Sequence, residues 1–343
     1  MSTAPAPAGT AAPPRPRSAL PGLVVVTVVA ALATAVGHWV PLLGAPVAGI
    51  VLGVTLSGAA RRRPRLAPGV RFASGFLLQL AVVVLGAQLS LGQVAGVGVS
   101  SLPVMLGTLA ACLLAAAVLG RGLGIDADLR TLIGVGTGIC GASAIAAVSP
   151  VIRARSTSVA YAVSTIFCFN VAAVLLFPPL GHLLHLGQDA FGLFAGTAVN
   201  DTSSVVAAAT TYGPEATSQA VVVKLTRTLL IIPITLVLGA VTSRSTAAAA
   251  TASLPRRVVR LVPWFLVGFL ALAAANSLGA LPAGAHAPLQ HLSVFLVTIA
   301  LTAIGLSTDI AGLRRAGPRP LLLGGLLWLV VSATSLLLQW AAG

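Results

Sequence analysis

Charge is what this chain has least of. Of 343 residues only 8% are charged, and just six are acidic; soluble domains carry about 25%. With 57% hydrophobic residues and a mean hydropathy of +1.02, the chain cannot cover itself with a water-facing surface. A soluble globular enzyme is excluded, and so is disorder over more than a local stretch. Cysteine is also scarce. Cys112, Cys140 and Cys168 lie in apolar segments without metal-ligand spacing and read as small buried hydrophobes. H-E-x-x-H and Walker motifs are absent, as is any Ser–His–Asp or paired-carboxylate set, so neither ATP-driven transport nor enzymatic catalysis is expected. His182/His185 and His286/His291 lack Cys or carboxylate partners at ligand spacing. No metal or cofactor is expected.

What is present is basic: 20 Lys and Arg against six acids, a net charge of +14. In a soluble protein that would suggest nucleic acid. In a membrane protein it marks cytoplasmic loops. The gaps between charges give eleven membrane segments of roughly 20 residues each: two in 18–60, two in 72–120, one each in 131–152, 157–180, 190–211 and 216–242, two in 261–308, and one in 320–343. Helices are the default for such Ala/Leu/Val runs. The expected fold is therefore an all-α polytopic membrane protein of about 9–11 transmembrane helices, with internal repeats and two Gly-interrupted helices. Residues 1–19, with five prolines, read as a disordered cytoplasmic tail, and 20–343 as one integral membrane domain.

With the N-terminus inside and all segments crossing, sixteen basic residues fall inside and two, Arg153 and Arg155, outside. If 131–152 instead enters and returns on the cytoplasmic side, and 190–211 does so from the outside, the tally becomes eighteen to none. Each segment has 22 residues, enough for two half-depth arms at about 1.5 Å per residue. Broken crossing helices and paired hairpins both remain open at this point.

The same two segments echo each other at an offset of 60: Gly136/Gly196, Thr137/Thr197, Ser143/Ser203 and Ala147/Ala207. A weaker echo relates Leu85-Gly86 to Ile304-Gly305. Gly-interrupted helices in corresponding positions suit a transporter built from repeats, because a broken helix exposes backbone N–H groups and a dipole end at membrane depth. Candidate substrate-binding residues are Gly136, Thr137, Gly138, Cys140, Gly141, Ser143, Asn200, Thr202, Ser203 and Ser204. The plainer reading of the glycines is close helix packing, since Gly49/Gly53, Gly134/Gly138 and Gly192/Gly196 have GxxxG spacing. The GxGxxG match at Gly136–Gly141 is set aside, because no βαβ context or following acid accompanies it.

Three charges lie inside these segments: Asp201, and Lys224 with Arg227 three residues apart on one helix face. Intramembrane ions are expensive and point to function. Lys224 and Arg227 are expected to supply counter-charge to an anion, and Asp201 to carry a coupling proton or pair with Arg227 or Lys224. Asn170 lies on a polar stripe of 157–180 and is read as a pathway residue or an interhelical hydrogen bond.

The runs Gly136-Thr-Gly-Ile-Cys-Gly-Ala-Ser-Ala-Ile-Ala-Ala-Val148, Ala160-Tyr-Ala-Val163, Asp201-Thr-Ser-Ser-Val-Val-Ala-Ala208 and Val223-Lys-Leu-Thr-Arg-Thr-Leu-Leu230 resemble the YeiH-like family of inner-membrane proteins, known as sulfate exporters. The resemblance covers roughly residues 20–343. It implies a bacterial plasma-membrane protein with a cytoplasmic N-terminus, distantly related to cation/proton antiporters and bile-acid-type transporters, in which broken helices meet at the substrate site. A His that often precedes the family's Asp is Asn200 here, so a proton relay through it does not carry over. The expected function is secondary active export of a small inorganic or organic anion, such as sulfate, coupled to protons or another ion. An anion channel and a cation/proton antiporter using Asp201 are the alternatives. The partners are a small anionic substrate, a coupling ion and the lipid bilayer, with no nucleic acid, and self-association is left open.

Overall fold

Within lipid every backbone N–H and C=O needs an internal partner, and the apolar runs meet this need as helices. The computed structural model describes residues 19–39, 44–231, 264–307 and 318–342, with Pro233, Ile234, Val237 and Leu238. The expected tail, the Arg244–Arg260 loop and Asp309 with Arg314 and Arg315 lie outside the described residues. All regular structure among the described residues is helical. In chain order the helices are α1 (Leu20–Trp39), α2 (Gly44–Arg61), α3 (Ala67–Gln88), α4 (Leu91–Gly122), α5 (Ala127–Gly138), α6 (Ala142–Val148), α7 (Ser156–Leu183), α8 (Gln188–Ala198), α9 (Thr202–Tyr212), α10 (Pro214–Leu229), α11 (Trp264–Ser277), α12 (His286–Ser307) and α13 (Pro318–Ala342). Six of them, α1, α3, α4, α7, α12 and α13, are long and apolar enough to cross a membrane. The chain is an all-α polytopic membrane protein.

The two Gly-interrupted segments do not cross. Helices α5 and α6 form a hairpin whose two ends meet: Arg155, just past it, pairs with Asp126 at its start, and its Nε lies 3.9 Å from Asp128. The hydrogen bond to Asp126 raises the Arg155 pKa above its usual value. Helices α8 and α9 form a second hairpin. Gln188 Oε1, at the start of α8, accepts from the backbone N–H groups of Glu215 (3.0 Å) and Ala216 (3.3 Å), just beyond α9. Tyr212 donates to Leu186 O at 2.5 Å and stacks on Phe191 and His182, fastening the same end. An arm of 11 or 12 residues spans about 17 Å, roughly half of a 30 Å hydrocarbon core. Of the two topologies open from sequence, these contacts select the hairpins.

The hairpins open on opposite faces. The first opens on a basic face that carries Arg61 to Arg71 at the α2–α3 turn, Arg121, Arg130, Arg153, Arg155, and Arg319, which approaches Gly124. The second opens on the far face, where the α3–α4 turn meets the α11–α12 connection: Asn276 donates to Leu89 O, and Gln88 to His286 O. Among the described residues the far face bears no Lys or Arg. Its carboxylates are Asp189 and Glu215.

Two bundles result. A panel of α1, α2, α3, α11 and α12 is joined by close backbone approaches. A Cβ on Gly53 would lie 2.5 Å from Thr302 O, and one on Gly305 2.5 Å from Ile50 O, so α2 and α12 touch through bare backbone. The other GxxxG pairs also pack helices, Gly134 and Gly138 against α4, and Gly192 and Gly196 against α10. The core bundle, α4 to α10 with α13, surrounds both hairpins. Between panel and core lies an aliphatic layer: Val206 and Ala207 of α9 and Val221, Val222 and Leu225 of α10 face Val47 and Ile50 of α2 and Val297 and Leu301 of α12.

Two expectations follow. Single cysteines at Asp126 and Arg153 should react with an impermeant thiol reagent from the same side, and one at Glu215 from the other; reaction of the first two from opposite sides would restore the crossing topology. Gly305→Val should destabilise by about 1–3 kcal/mol or more, because the clash is with backbone, read as a lowered Tm in detergent.

Candidate functional site

The tips of the hairpins meet at mid-depth. In the first, Ile139 leaves the helical region (φ −123°, ψ −88°) and Gly141 takes φ +67°, a left-handed conformation that glycine adopts without strain. The Gly141 N–H closes the turn onto Gly136 O at 2.9 Å. In the second, Val199 and Asp201 are extended, with ψ 137° and 159°. A Cβ on Gly141 would sit 3.1 Å from Asp201 Cβ, so the tips are in contact.

Four half-helix ends converge there. Helices α5 and α8 arrive with their carbonyl ends, each equivalent to about half a negative charge, and α6 and α9 depart with their N–H ends. The carbonyl ends are taken by the two buried cations of α10. Lys224 Nζ donates to Ile139 O (2.9 Å) and Val199 O (2.7 Å). Arg227 Nε donates to Gly138 O (2.8 Å), Nη2 to Thr137 O (3.2 Å), and Nη1 to Thr197 O. Both side chains have no exposed surface. The offset of 60 reappears as geometry: Ile139 and Val199 share Lys224, and Thr137 and Thr197 share Arg227. The two cations thus sit on the pseudo-symmetry relation between the hairpins. The hairpin bases obey it too, since Asp128 corresponds to Gln188 and Arg155 to Glu215.

Of the two roles expected for Asp201, the ion pair is not formed: Asp201 makes no salt bridge within 4 Å with Lys224 or Arg227. Instead it caps α9: Oδ1 accepts from Ser204 N (2.7 Å) and Ser203 Oγ (2.6 Å), and Oδ2 from Asn170 Nδ2 (2.8 Å). Asn170 Oδ1 in turn accepts from the N–H groups of Asn200 (3.2 Å) and Asp201 (3.4 Å). The expected pathway residue is therefore the clamp of the second break. The cations find the negative charge they need in helix ends rather than in a carboxylate, which spares Asp201 for other work.

The remaining candidates divide by access. Gly136, Thr137 and Gly138 are buried within α5; Gly136 faces Ile145 and Ile166, and Gly138 faces Leu109. Cys140 is buried beside Thr228. Lys224 and Arg227 are equally sealed, so these six form the frame of the site. Ser143 is exposed, and Asp201, Thr202 and Ser203 are partly so, which leaves them as the groups open to a solute. Ser204 is buried and supplies the capping N–H. Asn200 Oδ1 and Thr137 Oγ1 are buried with no partner among the described residues. Sequence reasoning missed Thr197 and Ser335, whose hydroxyls bond at 2.7 Å and tie the second hairpin to α13; the Thr137/Thr197 echo was the available signal for the former.

A family profile described as conserved hypothetical protein 698 matches residues 21–324. A UPF0324 membrane protein of Streptococcus pyogenes serotype M3 is 42% identical over 331 residues, covering 94% of this chain and 97% of the relative. One of Streptococcus agalactiae serotype V is 41% identical over 328 residues, covering 94% and 98%. One of Streptococcus pneumoniae is 42% identical over 326 residues, covering 94% and 97%.

Arg227→Leu would strand three buried carbonyl groups at a typical 1–3 kcal/mol each. It should cost roughly 3 kcal/mol or more and disturb both hairpins together. Asp201→Asn keeps an N-cap oxygen and should cost about 1 kcal/mol or less. Thermal unfolding in detergent should rank the two in that order; equal losses would contradict the division between frame and open groups.

Proposed function

Since the chain belongs to the family of conserved hypothetical protein 698, the UPF0324 membrane proteins, we propose that it is a secondary active transporter that exports a small anion by alternating access. The observation that carries this reading is the pair of hairpins entering from opposite faces and touching at mid-depth. Irregular backbone at that depth is tolerated only where it is buried in protein or lines a wet cavity. Inverted repeats with broken helices at the midplane are the arrangement in which transporters place their substrate.

The residues have distinct parts to play. Lys224 and Arg227 neutralise the carbonyl ends of α5 and α8, so the N–H ends of α6 and α9 set the local field together with Asp201. Ser143, Thr202 and Ser203 offer hydroxyl donors to an oxyanion. Two cations against one carboxylate leave the centre net positive, which suits an anion. Alternating access would come from the core bundle moving against the panel. Their contact is an aliphatic layer, and the hydrogen bond from Leu91 N to Ser277 Oγ, near the α3–α4 joint, runs between the bundles. Assigning the basic face to the cytoplasm follows the positive-inside rule and puts the N-terminus inside the bacterial plasma membrane. Arginines there concentrate anions on the side from which export begins. Sulfate is the substrate that the family resemblance implies. No nucleophile–base pair supports an enzyme.

One observation favours a second reading. The groups open to solute include a carboxylate, and both cations are committed to carbonyls, so Asp201 with its hydroxyl neighbours would also suit a cation/proton antiporter. Proteoliposomes separate the two. On the anion reading, a pH gradient drives uptake of labelled sulfate, a sulfonate or a dicarboxylate, counterflow is present, and Asp201→Asn abolishes the gradient-driven component. Sodium- or potassium-driven proton movement without anion flux would replace the anion reading with the antiporter. Anion flux without counterflow would replace it with a channel.

A further inference from the structure

An opening lies away from the hairpin tips. A cavity of about 700 Å³ separates panel from core on the far face, between α2, α3 and α12 of the panel and α4, α8, α9 and α10 of the core. Its walls are mostly apolar, Leu85, Leu89 and Val97 among them, and are set with amides and hydroxyls such as Gln88, Gln290 and Thr211. Its floor includes Val222 and Val297 of the aliphatic layer. On α9 that layer (Val206, Ala207) lies about one turn beyond Ser203, so the cavity stops short of the open groups of the site.

The electrostatics of this cleft are unusual for an anion route. Helices α2, α4, α8, α10 and α12 begin beside it with their positive dipole ends, and α3 and α9 end beside it with their negative ones. No Lys or Arg is among its lining residues, and Asp189 and Glu215 stand in the first turns of α8 and α10. Two carboxylates, with the carbonyl ends of α3 and α9, offset the field of the five N-terminal ends at about half a charge per helix end. The lining amides and hydroxyls remain as hydrogen-bond donors, without a net attraction for an anion.

We infer that this cleft is the release vestibule of the transporter: a low-affinity anteroom in which Asp189 and Glu215 cancel the helix dipoles, so that an anion passing the Val222–Val297 floor leaves instead of rebinding. The inference rests on the anion-export reading and adds residues to it. Export against a gradient requires weak binding on the release side, and side-chain amide and hydroxyl donors beside offsetting carboxylates supply it without closing the path.

The test uses the full chain in oriented membrane vesicles, with whichever of sulfate, a sulfonate or a dicarboxylate shows counterflow. Wild-type KM should be higher at the far face than at the basic face. Asp189→Asn with Glu215→Gln should lower the far-face KM about three- to tenfold, a loss of roughly 0.7–1.4 kcal/mol of repulsion, and leave the basic-face KM unchanged. In a Cys168→Ser background, Gln290→Cys should be modified from the far face by a bulky impermeant thiol reagent that blocks flux, and substrate should slow the modification. Equal KM values at both faces, an unmoved far-face KM in the double variant, or complete modification with unaltered flux would each overturn the vestibule while leaving the transporter standing. Absence of counterflow for every probe would overturn both.

Discussion

The hydrogen bonds from Lys224 and Arg227 to the carbonyl ends of α5 and α8 are the constraint on which the rest depends. A helix that stops at mid-membrane leaves carbonyls that water cannot reach, and a cation at that depth has no solvent either. Each is costly alone. Together they satisfy one another, and because both cations stand on α10, one helix holds two chain breaks that arrive from opposite faces. Five carbonyl oxygens, from Thr137, Gly138, Ile139, Thr197 and Val199, are bound by two side chains. Separating the hairpins would strand both sets, so the tips stay in register.

That constraint determines how the remaining polar groups are used. With the carbonyl ends neutralised by cations, the departing N–H ends need an acceptor, and Asp201 is placed to cap α9 with Asn170 bracing it from α7. The core bundle becomes rigid around this network, while its contact with the panel is left to smooth aliphatic side chains. The panel achieves its own rigidity differently, through the bare-backbone approach of Gly53 to Gly305 and of Gly22 to Gly69. An aliphatic layer between two separately packed bodies is the arrangement that the proposed alternating access would need.

Much of this was legible in the sequence because charge is so sparse in it. Gaps between arginines locate the segments, and the isolated pair Arg153 and Arg155 raises the return of 131–152 as one of two open topologies. The echo at 60 residues marked both breaks. Charge counting could not say what Lys224 and Arg227 would bind, because a carbonyl dipole leaves no trace in a residue alphabet. A carboxylate is the visible partner, so pairing with Asp201 is one of the two roles the sequence offers it, whereas the backbone takes that place. Asn170 was similarly ambiguous: its value lies in one amide bridging two N–H groups and a carboxylate across 30 residues of chain, and no local pattern announces that. The GxxxG spacings meant what they usually mean, and the glycine needed for its conformation was Gly141, which belongs to none of those pairs.

The pseudo-symmetry is most informative where it fails. At the tips the two hairpins present equivalent carbonyls to shared cations, yet at their bases equivalent positions carry different chemistry. Asp128 and Arg155 form an ionic contact on the basic face; Gln188 and Glu215 meet through a neutral side-chain-to-backbone hydrogen bond on the far face. Exposed ion pairs add little stability, about 0–1 kcal/mol, so the difference is better understood as a difference of field than of strength. One base closes with its guanidinium charge balanced within an arginine-rich surface. The other leaves Glu215 free to offset the dipoles of the helices around it. The departures from symmetry at Arg155 and Glu215 give the two faces different fields, one ionic and set among arginines, the other carrying uncompensated carboxylates beside helix ends.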